Sequence, residues 1–354
     1  MNNNIYVDII GMLVFWHIFG KDKVMRMPIL YLAKVNVNSI IYDVYNNKVS
    51  LEQIKDELFA GLQNGGLVTG ICEDVNNGGN KSADNSTNGI EYQNSTYTFQ
   101  EIEKSDSLAL SLRTEDFMSE GDGGIWEGRT VRGKVVRSFN KKTEKQDPDS
   151  KKMRVAMVPE NYSIRFFFDV EHEMVTFTTR SNFGYRQFMS AFARLLSQTM
   201  SRTEFPTEFE MFLRRDEEAL QKKIDEFDVV TRVKANLVPA NSNKEDIEEL
   251  AREADYQLDM KDVGATSLGI EYSGSKMNIK SSPIRKMITM VGRGFGYMTI
   301  SGYDKNGKHK NFNSNQAGIF TQEVSEGIAE EDFNRESADL VKKYLEKKGS
   351  GIQG

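Results

Sequence analysis

The sequence contains one cysteine, six prolines and three histidines in 354 residues. A single cysteine, Cys72, cannot form an intramolecular disulfide, and it cannot supply a cysteine-rich structural zinc site. A chain without disulfides is typical of a reducing compartment. We therefore expect a cytoplasmic protein.

Sustained apolar runs are also scarce. The run at residues 5–19 is shorter than the roughly 20 residues that a membrane-spanning helix needs, and Asp8 interrupts it. No Lys or Arg precedes this run and no small-residue cleavage site follows it, which argues against a secretory signal. Two interpretations stay open. The run is either the first element of the fold or a segment upstream of a start at Met25 or Met27.

Local signatures of the common enzyme classes are absent. The sequence has no GxxxxGK[ST], no GxSxG and no HExxH, so a phosphate-cradling loop, a serine hydrolase and a zincin all lack their motif. The glycine string at 292–296 (GRGFG) has the wrong spacing for a dinucleotide loop and precedes a predicted strand instead of following one. We interpret it as a connector, and we expect neither a catalytic residue nor a cofactor.

The composition nevertheless predicts a folded protein. A hydrophobic fraction of 38% with 21 phenylalanines is enough for an ordinary core and excludes wholesale disorder. Residues 29–45 are rich in β-branched and aromatic side chains and predict strand structure. Ser50 and Gln53 have the spacing of a capping box at the start of a helix.

The best-organised part of the sequence begins after residue 160. Two strands are predicted at 164–168 and 174–179, around a tight polar turn. An amphipathic helix follows at 185–200, and strands and helices then alternate. This order predicts an α+β fold with mixed sheets covered by helices.

The length and the composition shifts predict two modules. The first spans residues 1–154 and contains an Asn-rich loop at 74–96 and a basic loop at 140–154. The second spans residues 155–354 and contains a late basic hairpin and an acidic terminal helix, which we expect from 321 to 348.

The predicted turn between the two central strands concentrates ionisable groups. Asp169, Glu171 and His172 lie within four residues, and carboxylates with an imidazole can bind a divalent metal and support nuclease chemistry. The alternative is a polar turn between two hydrophobic strands, where alternate side chains point to opposite faces. The second interpretation is favoured on that geometry.

The net charge of −6 conceals two strongly basic segments. Residues 129–154 hold ten basic residues and three acidic ones, and residues 276–310 hold eight basic residues and one acidic one. Such segregation suits phosphate contacts, although lysine-rich turns are also common as solvated surface or as protection of a sheet edge. The predicted contacts are Arg285, Lys286, Lys305, Lys308 and Lys310, with Arg129, Arg132 and Lys134 as a second group.

The late hairpin is the clearest of these basic features. Residues 305–307 (KNG) separate two strand-like segments, and Asn-Gly suits a type I′ turn. A hairpin tip that projects lysines can contact phosphates, and each neutralised phosphate releases counterions. Since no base-reading helix is evident, binding is expected to be largely independent of sequence.

Two strings in the C-terminal half carry a resemblance to a known group of proteins. They are SIRFFFDVEHEMVTFTTR with the helix after it, and the hairpin YMTISGYDKNGKHKNF with the acidic helix after it. In their order they resemble the RexA-type phage-exclusion proteins and the KwaB component of the Kiwa anti-phage system, over roughly residues 155–345. The resemblance implies a homodimeric, cytoplasmic DNA-binding protein that acts with a membrane-embedded partner protein. It carries over no catalytic residue.

The expected function is therefore non-catalytic binding of nucleic acid, with double-stranded DNA favoured, in bacterial anti-phage defence of the abortive-infection kind. One alternative is a metal-dependent nuclease or toxin that uses Asp169, Glu171 and His172. Another is a protein-interaction module that docks a partner through the acidic C-terminal helix, from 323 to 348.

Overall fold

A computed structural model describes residues 28–69, 95–110, 124–146, 153–180, 182–241, 254–316 and 318–350. These residues form seven α-helices and twelve strands in two sheets, which confirms the predicted α+β class. The pairings between the described strands are antiparallel, where the sequence predicted mixed sheets. The apolar run at 5–19, the two candidate starts and most of the Asn-rich loop at 74–96 lie outside the described residues.

The strands are β1 (Ile29–Val37), β2 (Gly65–Thr69), β3 (Thr96–Leu110), β4 (Gly124–Gln146), β5 (Met153–Asp169), β6 (Met174–Thr178), β7 (Phe209–Leu213), β8 (Val229–Leu237), β9 (Leu268–Ser273), β10 (Gly296–Tyr303), β11 (His309–Asn313) and β12 (Thr321–Glu323). The helices are α1 (Ile41–Tyr45), α2 (Leu51–Gly61), α3 (Tyr185–Met200), α4 (Glu217–Ile224), α5 (Ala254–Val263), α6 (Ser282–Gly292) and α7 (Glu330–Ser350).

The larger sheet has eight strands. Seven of them follow the order β12-β1-β6-β5-β4-β3-β2, and the eighth, β7, pairs with β1. β6 occupies one edge of β1, and the other edge is shared: β12 pairs with residues 29–31 and β7 with residues 33–37. Helices α2 and α3 cover one face of this sheet, and α7 packs on the other. Because both faces are covered, β1 is buried along nearly its whole length.

The local signals in this part of the sequence are confirmed. The side chain of Ser50 accepts a hydrogen bond from the backbone N–H of Gln53 at 3.0 Å, and the Gln53 side chain accepts from the N–H of Ser50 at 2.9 Å. This capping box begins α2. Helix α3 spans the predicted residues and buries an aromatic face that includes Phe188 and Phe192.

Two predicted features of the first half differ from the structure. Residues 41–45 form the short helix α1 instead of strand, and the hydroxyls of Tyr42 and Tyr45 donate to the carbonyls of Ala265 and Ala240. The basic segment predicted as a loop at 140–154 belongs largely to β4 and β5, whose pairing continues to Gln146↔Met153. Backbone pairing does not require apolar side chains, so lysine-rich residues can continue a strand. The division predicted at residue 154 falls inside this hairpin.

The smaller sheet has the order β11-β10-β8-β9. Its apolar face carries Val233, Met298 and Ile300, which pack against Leu220 of α4 and Met287 of α6. The glycine string at 292–296 joins α6 to β10, as the connector interpretation predicted. No described helix is both long and apolar enough to cross a membrane.

The C-terminal predictions need two corrections. In the late hairpin only Gly307 has a positive φ, at 72°, so the turn is not of type I′. Instead the Asp304 carboxylate accepts from the N–H groups of Asn306 and Lys308 at 2.9 and 3.0 Å, which organises the loop from its first residue. The terminal helix begins at Glu330 and not at 321, because Thr321–Glu323 pairs with β1 as β12.

Candidate nucleic-acid interface

The described helices leave one face of the smaller sheet largely uncovered, and we call it the open face. In the register of β8 and β10, Arg232↔Ser301, Lys234↔Thr299 and Asn236↔Tyr297 alternate with the buried pairs Val233↔Ile300 and Ala235↔Met298. Side chains alternate across a strand, so these three polar pairs lie opposite α4 and α6. The open face consists of Arg232, Lys234, Asn236, Glu271, Tyr297, Thr299, Ser301, Asn311 and Asn313, all exposed or half-buried.

The charges of the open face are partly neutralised. Arg232 Nη2 lies 2.8 Å from Glu271, and this contact raises the pKa of Arg232 and lowers the pKa of Glu271. Lys234 pairs with Glu271 in the register of β8 and β9 and adds a second positive charge beside it. The centre of the face therefore carries a small positive excess.

A group of exposed cations lies at one end of the smaller sheet, in two loops and at the start of α6. Val229↔Tyr303 is the last pair of β8 and β10 at this end. The loop after β9 returns to the same end, where Met277 N–H donates to Val230 O at 2.9 Å. We call this group the basic rim; it consists of Lys276, Lys280, Arg285, Lys305 and Lys308. Arg285 Nε donates to Lys280 O at 2.7 Å, which joins α6 to the loop. Among the described residues, none of the five makes an ion pair with a carboxylate.

The other predicted members of the first group lie apart from this rim. Lys310 forms an ion pair with Glu226 and lies over the Phe227 ring, at 5.9 Å from its centre. Lys223 and Lys310 together lower the pKa of Glu226. Lys286 is half-buried on α6. The rim therefore contains three of the five predicted residues and adds Lys276 and Lys280.

The second predicted group lies on the larger sheet, where each cation meets a carboxylate. Arg129 donates to both oxygens of Glu171, at 2.5 and 2.9 Å, and it also contacts Glu52 and Asp56. Arg132 pairs with Glu103 at 2.8 Å, and Lys134 pairs with Glu101. A phosphate would have to compete with these carboxylates.

The side chains of the candidate catalytic cluster, Asp169, Glu171 and His172, are engaged in contacts at the turn between β5 and β6. The buried carboxylate of Asp169 contacts His172 Nδ1 at 2.6 Å and accepts from the His172 N–H at 3.2 Å. Glu171 is held by Arg129, whose hydrogen bonds lower the pKa of the Glu171 carboxyl. Across the described ranges no group of three or more His, Cys, Asp or Glu side chains could hold a metal ion.

A cleft of about 480 Å³ lies at the other end of the open face, where the smaller sheet meets α3 and β7. Its polar lining includes Arg186 and Arg194 from α3, Glu210 from β7, and Asn236, Tyr297 and Asn313 from the open face. Sequence reasoning missed this cleft, since its walls come from five separate elements. The only local signal was the alternation of polar residues in β8 and β10.

Glu210 is the carboxyl group of the cleft. Its Oε1 accepts a hydrogen bond from Asn38 Nδ2 at 2.9 Å. Burial, and secondarily the neighbouring charge of Glu208, raises the pKa of Glu210 above its ordinary value. The group can therefore donate or accept a hydrogen bond within the cleft, according to pH.

Arg215 fixes the two sheets around the cleft. Its buried guanidinium donates to Ser314 O at 2.8 Å, Val291 O at 2.7 Å and Asn315 Oδ1 at 2.6 Å. The carbonyls of Leu213 and Gly296 accept two further hydrogen bonds from it. All five acceptors are neutral, and burial lowers the pKa of Arg215 to about 10. These contacts join the end of β7 to the smaller sheet and to α6.

Comparison with known protein families gives a match over the central part of the chain. The family model described as a domain of unknown function, DUF4747, matches residues 109–325, which is more than half of the 354 residues. The matched span contains the whole smaller sheet, the basic rim and the residues that line the cleft. No curated protein matches the chain.

Proposed function

The chain belongs to the DUF4747 family, and we propose from its geometry that it is a non-catalytic nucleic-acid-binding protein with little sequence preference. The basic rim contacts phosphates, and the open face lies beside the bound strand. The observation that carries this proposal is the position of the rim: five exposed cations without carboxylate partners in the described chain lie at one end of the smaller sheet, beside a polar face that the described helices leave largely uncovered.

Physical chemistry favours this partner. Phosphate contacts release counterions, and they supply most of the affinity in binding that does not depend on sequence. Exposed arginine and lysine side chains that form no ion pair with a described carboxylate lose little when they bind a phosphate. The tyrosine ring of the open face, Tyr297, offers a surface for stacking an unpaired base.

The alternative functions have less support. A metal-dependent nuclease would need ligands, but Asp169 and Glu171 are engaged by His172 and Arg129. A docking helix would need an available apolar face, but α7 packs Phe333, Val341 and other apolar residues against the larger sheet.

The biological setting is proposed from the sequence resemblance alone. On that basis the protein acts in the bacterial cytoplasm as a homodimer, in anti-phage defence. Binding to phage or host nucleic acid, with double-stranded DNA favoured, would be transmitted to a membrane-embedded partner protein.

The test is a salt titration of binding to a labelled duplex and to the matching single strand, measured by fluorescence anisotropy. The double variant Lys305→Ala/Lys308→Ala removes two rim cations. We expect weaker binding and a slope of log K against log salt that is smaller by about 1.8 for duplex DNA, since each phosphate contact contributes about 0.9.

The matched control is Arg132→Ala/Lys134→Ala, which also removes two positive charges but takes them from ion pairs on the larger sheet. Its slope should match that of the unmodified protein. Equal losses in the two double variants, or no salt-dependent binding at low ionic strength, would contradict the proposal.

A further inference from the structure

We propose that the cleft between α3, β7 and the open face is a nucleotide-binding pocket. Glu210, Asn236 and Tyr297 contact the base, and Arg186 contacts the phosphate. This inference deepens the proposed function and rests on it, because the nucleotide would be an unpaired unit, at a single-stranded end or gap of the bound nucleic acid, in a strand that lies on the open face and reaches the basic rim.

The size of the cleft suits this ligand. Its volume of about 480 Å³ falls inside the range of roughly 300–1,000 Å³ that is usual for small-molecule sites. The walls belong to α3, to β7 and to three strands of the smaller sheet, and Arg215 holds the parts together. Because regular elements form it, the pocket is preformed and little ordering accompanies binding.

Several polar groups of the cleft have hydrogen-bonding capacity that the described chain does not use. The carboxamide of Asn236 and the hydroxyl of Tyr297 make no hydrogen bond to any described residue. Glu210 uses one oxygen, Oε1, to accept from Asn38. These groups are half-buried and accessible from the cleft, so a polar ligand can bind them without breaking a described hydrogen bond.

The register of the smaller sheet places the ring of Tyr297 beside the carboxamide of Asn236. Asn236 and Tyr297 are direct partners in β8 and β10, and directly opposite side chains have Cβ atoms roughly 5 Å apart. A flat base stacked on the tyrosine would therefore have its edge near the Asn236 carboxamide, which can both donate and accept. Glu210 adds a carboxyl group for the N–H donors of a base.

The charges favour an anionic ligand. Arg186 and Arg194 lie eight residues apart on α3, about two turns, and both line the cleft. Arg186 Nε donates a hydrogen bond to the Tyr185 hydroxyl at 3.2 Å, and Arg194 donates to Thr69 O at 2.7 Å. Neither forms an ion pair with a described carboxylate. Two guanidiniums against the single carboxyl of Glu210 leave a positive site, which suits a phosphate.

Isothermal titration with the 5′-monophosphates of adenosine, guanosine, cytidine and uridine tests the pocket, with inorganic phosphate as a separate probe. At least one nucleotide should bind saturably and more tightly than phosphate. Glu210→Gln and Arg186→Gln should each weaken that nucleotide about tenfold or more, which corresponds to about 1.4 kcal/mol.

Glu204→Gln is the matched control, since Glu204 is exposed, lies six residues from Glu210 and does not line the cleft. It should leave the affinity unchanged. The melting temperature of each variant, compared with that of the unmodified protein, verifies that a loss of affinity is not a loss of fold.

Failure of this inference and failure of the proposed function give different results. If polynucleotides bind through the rim while no mononucleotide binds, or while phosphate binds as tightly as every nucleotide, the pocket is refuted and the proposed function stands. If mononucleotides bind in the cleft but no polynucleotide binds at low salt, the proposed function is refuted. The part of this inference that makes the nucleotide one unit of a longer strand is then refuted as well.

Discussion

Lys34 Nζ lies 2.5 Å from Glu173 Oε2, and both side chains are buried. Asn241 Nδ2 donates to the same carboxylate oxygen at 2.8 Å, and a second bond from Asn241 reaches Val35 O, also at 2.8 Å. Lys34 belongs to β1, Glu173 to the turn before β6, and Asn241 to the segment after β8. The ion pair lies within the larger sheet, and the hydrogen bonds of Asn241 join it to the chain that leaves the smaller sheet.

Replacing one partner of this buried pair should be costly. Lys34→Met removes the close cation of the buried Glu173 carboxylate and leaves only Lys55, 4.0 Å from Oε1, and we expect a loss of about 3 kcal/mol in the free energy of unfolding. Lys34→Met/Glu173→Gln should recover part of that loss. Urea denaturation measures both, and Lys48→Met, which breaks an exposed pair with Asp43, should cost no more than about 1 kcal/mol. Equal costs at the two lysines would contradict the argument.

The five hydrogen bonds of Arg215 give a second prediction. Lysine has three donors and no planar fork, so Arg215→Lys leaves buried carbonyl groups without partners. We expect a loss of at least about 2 kcal/mol in the free energy of unfolding. Arg232→Lys is the control, because that guanidinium is exposed and the change should cost less than about 1 kcal/mol. A loss at Arg215 no larger than at Arg232 would refute the role given to this residue.

The raised pKa of Glu210 predicts a pH dependence of stability. The folded protein binds this proton more tightly than the unfolded chain does, so the contribution of Glu210 to stability is complete below its ordinary pKa and is lost as pH rises through the raised value. The melting temperature of the unmodified protein, relative to that of Glu210→Gln, should therefore increase as pH falls from about 8 to about 4. Parallel curves for the two proteins would mean that the carboxyl has an ordinary pKa.

Gly296 gives a prediction that links the backbone to the cleft. Its φ is 131°, and a Cβ atom there would lie 2.0 Å from Asn236 O. Gly296→Ala should cost roughly 1–3 kcal/mol of stability and should weaken nucleotide binding, because it displaces the Asn236↔Tyr297 pair. Gly269→Ala in β9 meets nothing within 4 Å and is the control. Unfolding curves and titrations on both variants check the prediction, which fails if the two behave alike.

The sequence predicted the elements whose signals are local. The Ser50 capping box, the apolar face of α3 and the polar turn between β5 and β6 each depend on residues close together in the chain. Residues 41–45 were predicted wrongly because β-branched and aromatic residues fit either a strand or a short helix. There the tertiary contacts of Tyr42 and Tyr45 accompany the helix.

The functional surface was harder to predict, because sequence does not show which charges neutralise one another. Arg129 and Arg132 lie in the basic segment at 129–154, yet their carboxylate partners come from α2, β3 and the turn after β5. The rim lysines at 305 and 308 keep their charge available because their loop projects beyond the last pair of the hairpin. The cleft depends on contacts between α3, β7 and the smaller sheet, which no local pattern reveals.

The pairing of β1 with β12 has a consequence for synthesis of the chain. Ile29 is the register partner of Glu323, which lies 294 positions later in the chain. At about 5–20 residues per second, a ribosome needs roughly 15–60 s to make that interval. Once β7 is made it covers residues 33–37 of this edge, but the backbone groups of residues 29–31 stay unpaired and can pair with a neighbouring nascent chain. A strand made late thus protects the first described strand from aggregation, and Gln322→Pro, which removes a backbone N–H from β12, should increase the insoluble fraction on expression.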